Sequence, residues 1–413
     1  MNMDTTERNL LRQLAGEYFL LAQEERFRNN RHLHRAVNDL KPVRPVVLID
    51  ELPWGEMNLD GELTLRCTDP ILRSVEWHLR TTLYKARHFP ADMIISPYVP
   101  VSKIIHSTGI GIQVQEETLV AEGCDTIRSH AYHDQLATDA DLDKIHDEVI
   151  TYDHEATLRN YQLVGDAIGD ILPVRLKGMD HVWLGTWDRI AMYRGVDNLL
   201  LDLADRPEFM HRTVRRLHDV QWNSSKQYEA LGLLDNDPQS LHCTPILASD
   251  LPGPGFDGAQ VRLKDVWGRA VAQIFASVSG AMHEEFDINY IKDAMACCGL
   301  VYYGCCEPLD RKMDIVKKIP HLRKISVTPW ADVHVAAEAI GGNYVLSSKP
   351  NPAAVAVNRL DHVQLRKEIG KILDAVRRYG CPCDIVLKDI STCNGRPENI
   401  FEWEKIVMEM VRG

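Results

Sequence analysis

From about residue 90 onward, short apolar runs alternate with amphipathic stretches of helical length, and this alternation restricts the possible folds more than any other feature of the chain. The runs are Met93-Ile94-Ile95, Pro173 to Leu176, Leu241-His242-Cys243, Leu300 to Tyr303, Lys324 to Val327, Tyr344 to Leu346 and Ile385 to Leu387. The last four each follow a helical stretch: Ile288 to Cys298, Asp310 to Ile319, Val333 to Ile340 and Leu365 to Tyr379. Strands that alternate with helices make a parallel sheet joined by right-handed crossovers. An open doubly wound sheet usually carries a glycine-rich phosphate turn after its first strand. None follows Val46-Val47-Leu48-Ile49. The pattern therefore predicts an α/β fold of the closed (β/α)8 TIM barrel type over residues 45–413. Residues 1–44 read as a helical N-terminal extension, because Leu10, Leu11, Leu14, Tyr18 and Leu21 recur at helical spacing.

A chain of 413 residues has room for such a barrel as one domain with extensions. Hydrophobic residues at 45% and charged residues at 26% are ordinary globular values, which excludes a disordered chain. The net charge of −12 runs against a nucleic acid or an anionic membrane as partner, since both select a basic face. No apolar run reaches the roughly 18 residues needed to cross a bilayer, and the N-terminus lacks the basic-then-apolar pattern of a secretory signal. The expectation is a cytoplasmic enzyme acting on a small molecule. Six of the ten cysteines are clustered, as Cys297-Cys298, Cys305-Cys306 and Cys381-x-Cys383, rather than spaced as a disulfide framework. In a reducing compartment, thiols so placed are candidates for metal binding or reactivity.

In a barrel of this kind the loops after the strand ends build the active site. Those exits carry Tyr98, His242 and Cys243, Cys305-Cys306-Glu307, Trp330 with Asp332, Lys349, and Asp389 with Thr392. The sharpest signal is Tyr303 to Pro308: Gly304 permits a tight turn, Pro308 ends the strand, and two thiols and a carboxylate are held between them. Thiolates and carboxylates are good zinc ligands, and a catalytic zinc keeps three protein ligands and one open position. His242, Cys243 and the His283-Glu284-Glu285 cluster are the other candidate ligands, with Glu285 as ligand or general base. A structural reading stays open, in which the two thiols pack as small hydrophobes, because no close-spaced ligand motif is present. Lys349, in a rigid Lys-Pro-Asn-Pro exit, is expected to aim a cation at a substrate anion. Trp54 and Trp330 are expected to wall the pocket.

Several segments resemble the uroporphyrinogen decarboxylase superfamily, which includes zinc-dependent, corrinoid-linked methyltransferases. Arg87 to Ile95 is similar to the segment leading into that family's second-strand loop. Gly178 to Tyr193, followed by Asp205 to Phe209, is similar to its glycine–aromatic loop and succeeding helix. Glu285 to Lys292 and then Val301 to Pro308 resemble its helix and the strand ending in a His-x-Cys-Gly element. Ser348 to Pro352 takes the place of its Gly-Asn-x-x-Pro turn. The resemblance implies the same barrel and a homodimer, although no interface pattern is legible.

Departures from the family choose between its branches. Asp50 and Glu51 stand where decarboxylases place arginines, and Pro97-Tyr98 replaces an aspartate, so a polyanionic tetrapyrrole would be repelled. Demethylation of a small O- or N-methylated substrate is then implied, with zinc as Lewis acid and a separate corrinoid protein as acceptor. Glu285 or Tyr98 would manage the proton. Tyr303 or Gly304 replaces the family's histidine, and the turn at Lys349 lacks its distant cysteine. The zinc ligands would then be Cys306 and Glu285 with His242, Cys243 or Cys305. A metal-independent decarboxylase or lyase of a small acid, with Lys349 on the carboxylate, is the enzymatic alternative. A barrel that only binds a small ligand is the third. The zinc reading requires the paired thiols to open onto the same cavity as Glu284 and Glu285.

Overall fold

A computed structural model describes residues 4–58, 60–120, 128–238 and 240–413. Its centre is a seven-stranded sheet made of β1 (Val46–Ile49), β2 (His181–Leu184), β3 (Trp267–Ala270), β4 (Leu300–Tyr303), β5 (Leu322–Val327), β6 (Val345–Ser348) and β7 (Cys383–Leu387). The spatial order is β1-β7-β6-β5-β4-β3-β2, and every neighbouring pair is parallel. Strands β4 and β7 are buried at every position, as expected where both faces of a parallel sheet are covered. The fold is mixed α/β. Among the described residues no ladder joins β1 to β2, so the sheet has two ends.

Three predicted strands depart from this sheet, each for a visible reason. Residues 93–95 run beside β1 without forming a ladder strand. The Asp92 carboxylate occupies the Val47 N–H at 2.9 Å and is itself gripped by both terminal nitrogens of Arg44, so a side chain replaces a ladder bond. The run at Pro173 to Leu176 becomes a strand, Val174–Lys177, but pairs with Val99–Ser102 outside the main sheet. Leu241 to Cys243 forms a tight hairpin instead, with Ser240–Leu241 antiparallel to Thr244–Pro245 and His242-Cys243 at its tip.

Helices cover one face of the sheet. Asp332 caps Val333–Ile340 and Asp361 caps His362–Tyr379, each by accepting N–H bonds from the first turn. Gly380, at φ +67°, ends the second of these in the left-handed conformation. Their apolar stripes bury Ala336, Ile340, Ile369 and Ile372 with the outward sheet residues Val301, Ile325, Leu346 and Ile385. The N-terminal helices Thr5–Ala22 and Glu25–Asn38 belong to the same body: Leu11, Leu14, Ala15 and Tyr18 pack with Leu72, Val75 and Leu79 of Pro70–His88. Among the described residues no helix is long and apolar enough to cross a membrane.

The opposite face is covered by the hairpin and the peptide that follows it. Leu241, Ile246 and Ala248 pack with Trp267, Leu300 and Tyr302. Trp267 Nε1 donates to the Ile246 carbonyl at 2.9 Å, and the Asn38 side-chain amide holds the Pro245 and Leu247 carbonyls. Lys324, Ser347 and Asp384 lie on this face, fully buried, and bond to the same hairpin. The sheet therefore positions a turn that no ladder holds.

Candidate functional site

Three strand exits and the hairpin tip converge at the carboxyl edge of the sheet. Glu51 lies two residues beyond β1, Cys305 and Cys306 follow β4, and Lys388 and Asp389 follow β7. The Glu51 carboxylate meets His242 Nδ1 at 3.0 Å and accepts from the Cys243 thiol at 3.2 Å and from the Asp389 N–H at 3.1 Å. The Cys305 sulfur is 3.9 Å from His242 Nε2 and 3.6 Å from the Cys306 sulfur. Lys388 Nζ lies 3.2 Å from Cys305 and 3.4 Å from Cys306, and it donates to Asp389 at 2.5 Å. Ligand atoms of Glu51, His242 and Cys243 all lie within 4.8 Å of one another.

The backbone at this cluster is strained. Glu51 (φ +50°), Cys243 (+61°) and Asp389 (+55°) are non-glycine residues in the left-handed region, and Gly304, just before Cys305, has φ +94°. Each such residue costs roughly 1–3 kcal/mol and persists only where its surroundings over-determine it. Here the Ile390 N–H donates to the Glu51 carbonyl, and Lys349 Nζ donates to the Cys243 carbonyl.

Charge is unevenly shared between the two thiols. A hydrogen bond from Cys306 holds Cys305 well below the ordinary thiol range against the cost of burial, with further help from His242, Lys388 and Arg269. The same bond, followed by burial, pushes Cys306 far up. The two sulfurs, 3.6 Å apart, can share one proton between them. Burial also raises Cys243 well above its usual range. His242 Nδ1 faces the Glu51 carboxylate and Nε2 faces the Cys305 sulfur. The arrangement is a carboxylate–imidazole pair backing a soft donor set.

Several expected site residues lie elsewhere or are otherwise engaged. Glu285 does not join the thiols. His283 and Asp287, four residues apart, share the inward side of their segment and bond to the Tyr303 hydroxyl. Glu285 stands midway between them, turned outward, and pairs with His211 at 3.1 Å with half its side chain exposed. Lys349 is buried, and its ammonium donates to the Cys243 carbonyl and to Ser347 Oγ, so it braces the hairpin instead of facing a substrate. Trp330 is 70% exposed. Glu307 is fully buried, its carboxylate accepting the N–H groups of Cys305 and Ala272, and burial pushes it up to about 8.

Tyr98 and Trp54 line a cavity of about 450 Å³ together with Asp50, Lys85 and Ser240. Asp50 precedes Glu51 and Ser240 belongs to the hairpin, so the cavity adjoins the cluster. Burial pushes Tyr98 up to about 12, and its hydroxyl donates to Asp237 at 2.7 Å. Glu51 and Lys388 carry the site together with the thiols and His242. Sequence reasoning assigned Glu51 only a repulsive charge and did not single out Lys388. The available signal was their place directly after apolar runs, at Ile49 and Leu387.

No family model and no curated protein matches this chain. It is similar to a solved structure. That structure is a methyltransferase from Methanosarcina mazei, at 11% identity and a TM-score of 0.48, over 93% of this chain and 98% of the other. A likeness at that level assigns neither family nor activity.

Proposed function

We propose that the chain is an enzyme that transfers a methyl group from a small methylated substrate to a corrinoid protein, on a (β/α)8 barrel whose zinc is held by His242, Cys305 and Cys306. The observation that carries this reading is the convergence of two sulfurs and an imidazole nitrogen at the carboxyl edge of the sheet. Two of the three ligand separations fit the metal, and Cys306 would have to close on His242 to complete the set. Zinc bonds of 2.0–2.3 Å at tetrahedral angles separate ligand atoms by about 3.3–3.8 Å. The sulfur–sulfur distance of 3.6 Å and the sulfur–nitrogen distance of 3.9 Å approach that spacing. Glu51 would orient the imidazole from behind, with Cys243 and Asp389 as reserve donors. Zinc in this position supplies a Lewis acid for the heteroatom that carries the methyl group. Lys388 balances the charge of the sulfurs, and the hairpin closes the site from the side of the sheet that carries Lys324 and Asp384.

The test is metal analysis of protein purified without chelator, alongside methyl transfer to reduced cobalamin. About one zinc per chain is expected, falling well below half in Cys305→Ser, with transfer lost in parallel. Full activity in metal-free protein would sink the reading. A second reading has one observation in its favour: Lys388, 3.2 Å from Cys305, can support a thiolate without metal. Cys305 would then act as a nucleophile in a metal-independent enzyme, and Cys306→Ser would retain most activity.

A further inference from the structure

Among the described residues, the buried lysine and arginine side chains have partners, with one exception. Lys324 pairs with Asp384, Arg194 with Asp202, and the Lys312 ammonium donates to the Phe275 carbonyl. Arg269, in β3, is only 6% exposed, yet among the described residues its side chain makes no hydrogen bond and no ion pair, and its Nε is fully buried without a partner. Leaving a buried cation unpaired costs several kcal/mol, which a stable fold has no reason to carry.

Its position explains the retention. Arg269 stands opposite Tyr302 in the β3–β4 ladder, and Tyr302 comes three residues before Cys305. The guanidinium carbon is 5.9 Å from the Trp183 ring centroid. Arg189 reaches the same ring at 5.8 Å, and its side chain is likewise without a hydrogen bond or ion pair among the described residues. Trp183 is 40% exposed, so two uncommitted guanidinium groups flank an aromatic ring that is open to a ligand. Lys349 and Lys388, the other cations nearby, already donate to the Cys243 carbonyl and to Asp389.

We propose that Arg269, assisted by Arg189, is the anchor for a carboxylate group on the substrate, with Trp183 packing against the adjoining part of the molecule. This rests on the enzymatic reading above and narrows its substrate class to methylated carboxylic acids. A single guanidinium fork matches the two oxygens of a carboxylate with two parallel hydrogen bonds. The cation leaves the unpaired state only when that anion arrives. A neutral substrate would leave the buried charge unpaired, which makes Arg269 a specificity-determining residue.

The experiment compares wild type with Arg269→Met, Arg269→Lys and Arg189→Met, using methoxyacetate, its neutral analogue methoxyacetamide and inorganic phosphate as probes. Tm, tryptophan fluorescence and zinc content are read for each. Methoxyacetate is expected to raise the wild-type Tm and change the emission, while the amide does neither. Arg269→Met should melt at or above wild type without ligand, because it removes an unpaired charge, and should weaken methoxyacetate binding at least tenfold. Arg269→Lys should be intermediate, and Arg189→Met weakened to a lesser degree.

Equal effects of the acid and the amide, no effect of the acid, or undiminished binding by Arg269→Met would each overturn the proposal. So would a marked loss of stability in both Arg269 variants, which would give the arginine a structural role. Phosphate acting in place of the carboxylate overturns the substrate class. Zinc content separates the two readings. Zinc bound without a methoxyacetate effect refutes the anchor alone, and a methoxyacetate effect without zinc refutes the metal alone.

Discussion

The buried ion pair under the hairpin offers a quantitative test of how the site is held. Lys324 Nζ lies 2.8 Å from Asp384 Oδ2, with both side chains fully buried. All three of its N–H donors are taken, by Asp384, Thr244 Oγ1 and the Pro245 carbonyl. Asp384 also accepts from Ser347 Oγ and sits 4.0 Å from Lys349 Nζ. At an effective dielectric near 20 the two attractions are about 6 and 4 kcal/mol, and desolvation cancels a large part of both.

Replacing Asp384 by Asn leaves two buried ammonium groups facing each other without an anion. The expected loss is about 3–5 kcal/mol of stability. Lys324→Met leaves the carboxylate with Lys349 and Ser347, so its loss should be about half as large, and the double variant should lose less than the sum of the two. The same bonds hold the strand after Cys243, so Asp384→Asn should also weaken zinc binding by about 10–100-fold, the range seen when outer-shell support is removed. Urea unfolding followed by far-UV circular dichroism reads the stability, and competition with a chelator reads the metal. Lys324→Met proving the more damaging single change would refute the reasoning, because it would mean that Lys349 gives Asp384 no support.

Two further changes probe the turn and the N-terminal helices. Gly304→Ala places a Cβ 2.7 Å from Leu309 Cδ1 and 3.2 Å from Ser326 Cβ at a φ of +94°, so it should cost about 2–4 kcal/mol in urea unfolding and displace Cys305 enough to lower zinc content. Unchanged stability would show that the turn is not strained. His34 is fully buried, its Nε2 bonded to the Asp92 carbonyl, and burial lowers it from 6.5 to about 4. The unfolded chain therefore binds the proton first. From this group stability should be complete above pH 6.5 and fall by about 3 kcal/mol as pH drops towards 4; burial lowers His78 to about 4 as well, so His34→Gln should reduce the slope without abolishing it. Equal slopes in the two proteins would remove His34 as the cause.

Strands β4 to β7 and the helices Val333–Ile340 and His362–Tyr379 were legible from the chain alone, because their signals are local, whereas the helix expected over 310–319 is only the turn Met313–Val316. Apolar runs such as Leu300 to Tyr303 and Ile385 to Leu387 stand between helical periods, while the caps Asp332 and Asp361 became apparent only in the structure. The thiols after Tyr303 were legible for the same reason, since Gly304 and Pro308 bracket them. Strands β2 and β3 were not, because His181, Trp183, Gly268 and Arg269 interrupt the apolar pattern with groups that face the interior or a helix contact.

Tertiary structure alone decided who meets whom. Glu51 and Cys243 are 192 residues apart and touch only because β1 lies next to β7 and the hairpin is pinned beneath them. Spacing placed Lys349 and Glu285 near strand and helix ends but carried no information on where their polar atoms would be spent. Lys349 went to the hairpin carbonyl and Glu285 to His211, because a buried donor must be satisfied by its nearest acceptor and a helix sets opposite faces two residues apart. Periodicity is written into neighbouring residues, whereas a site assembled from distant loops exists only once the sheet has set their order.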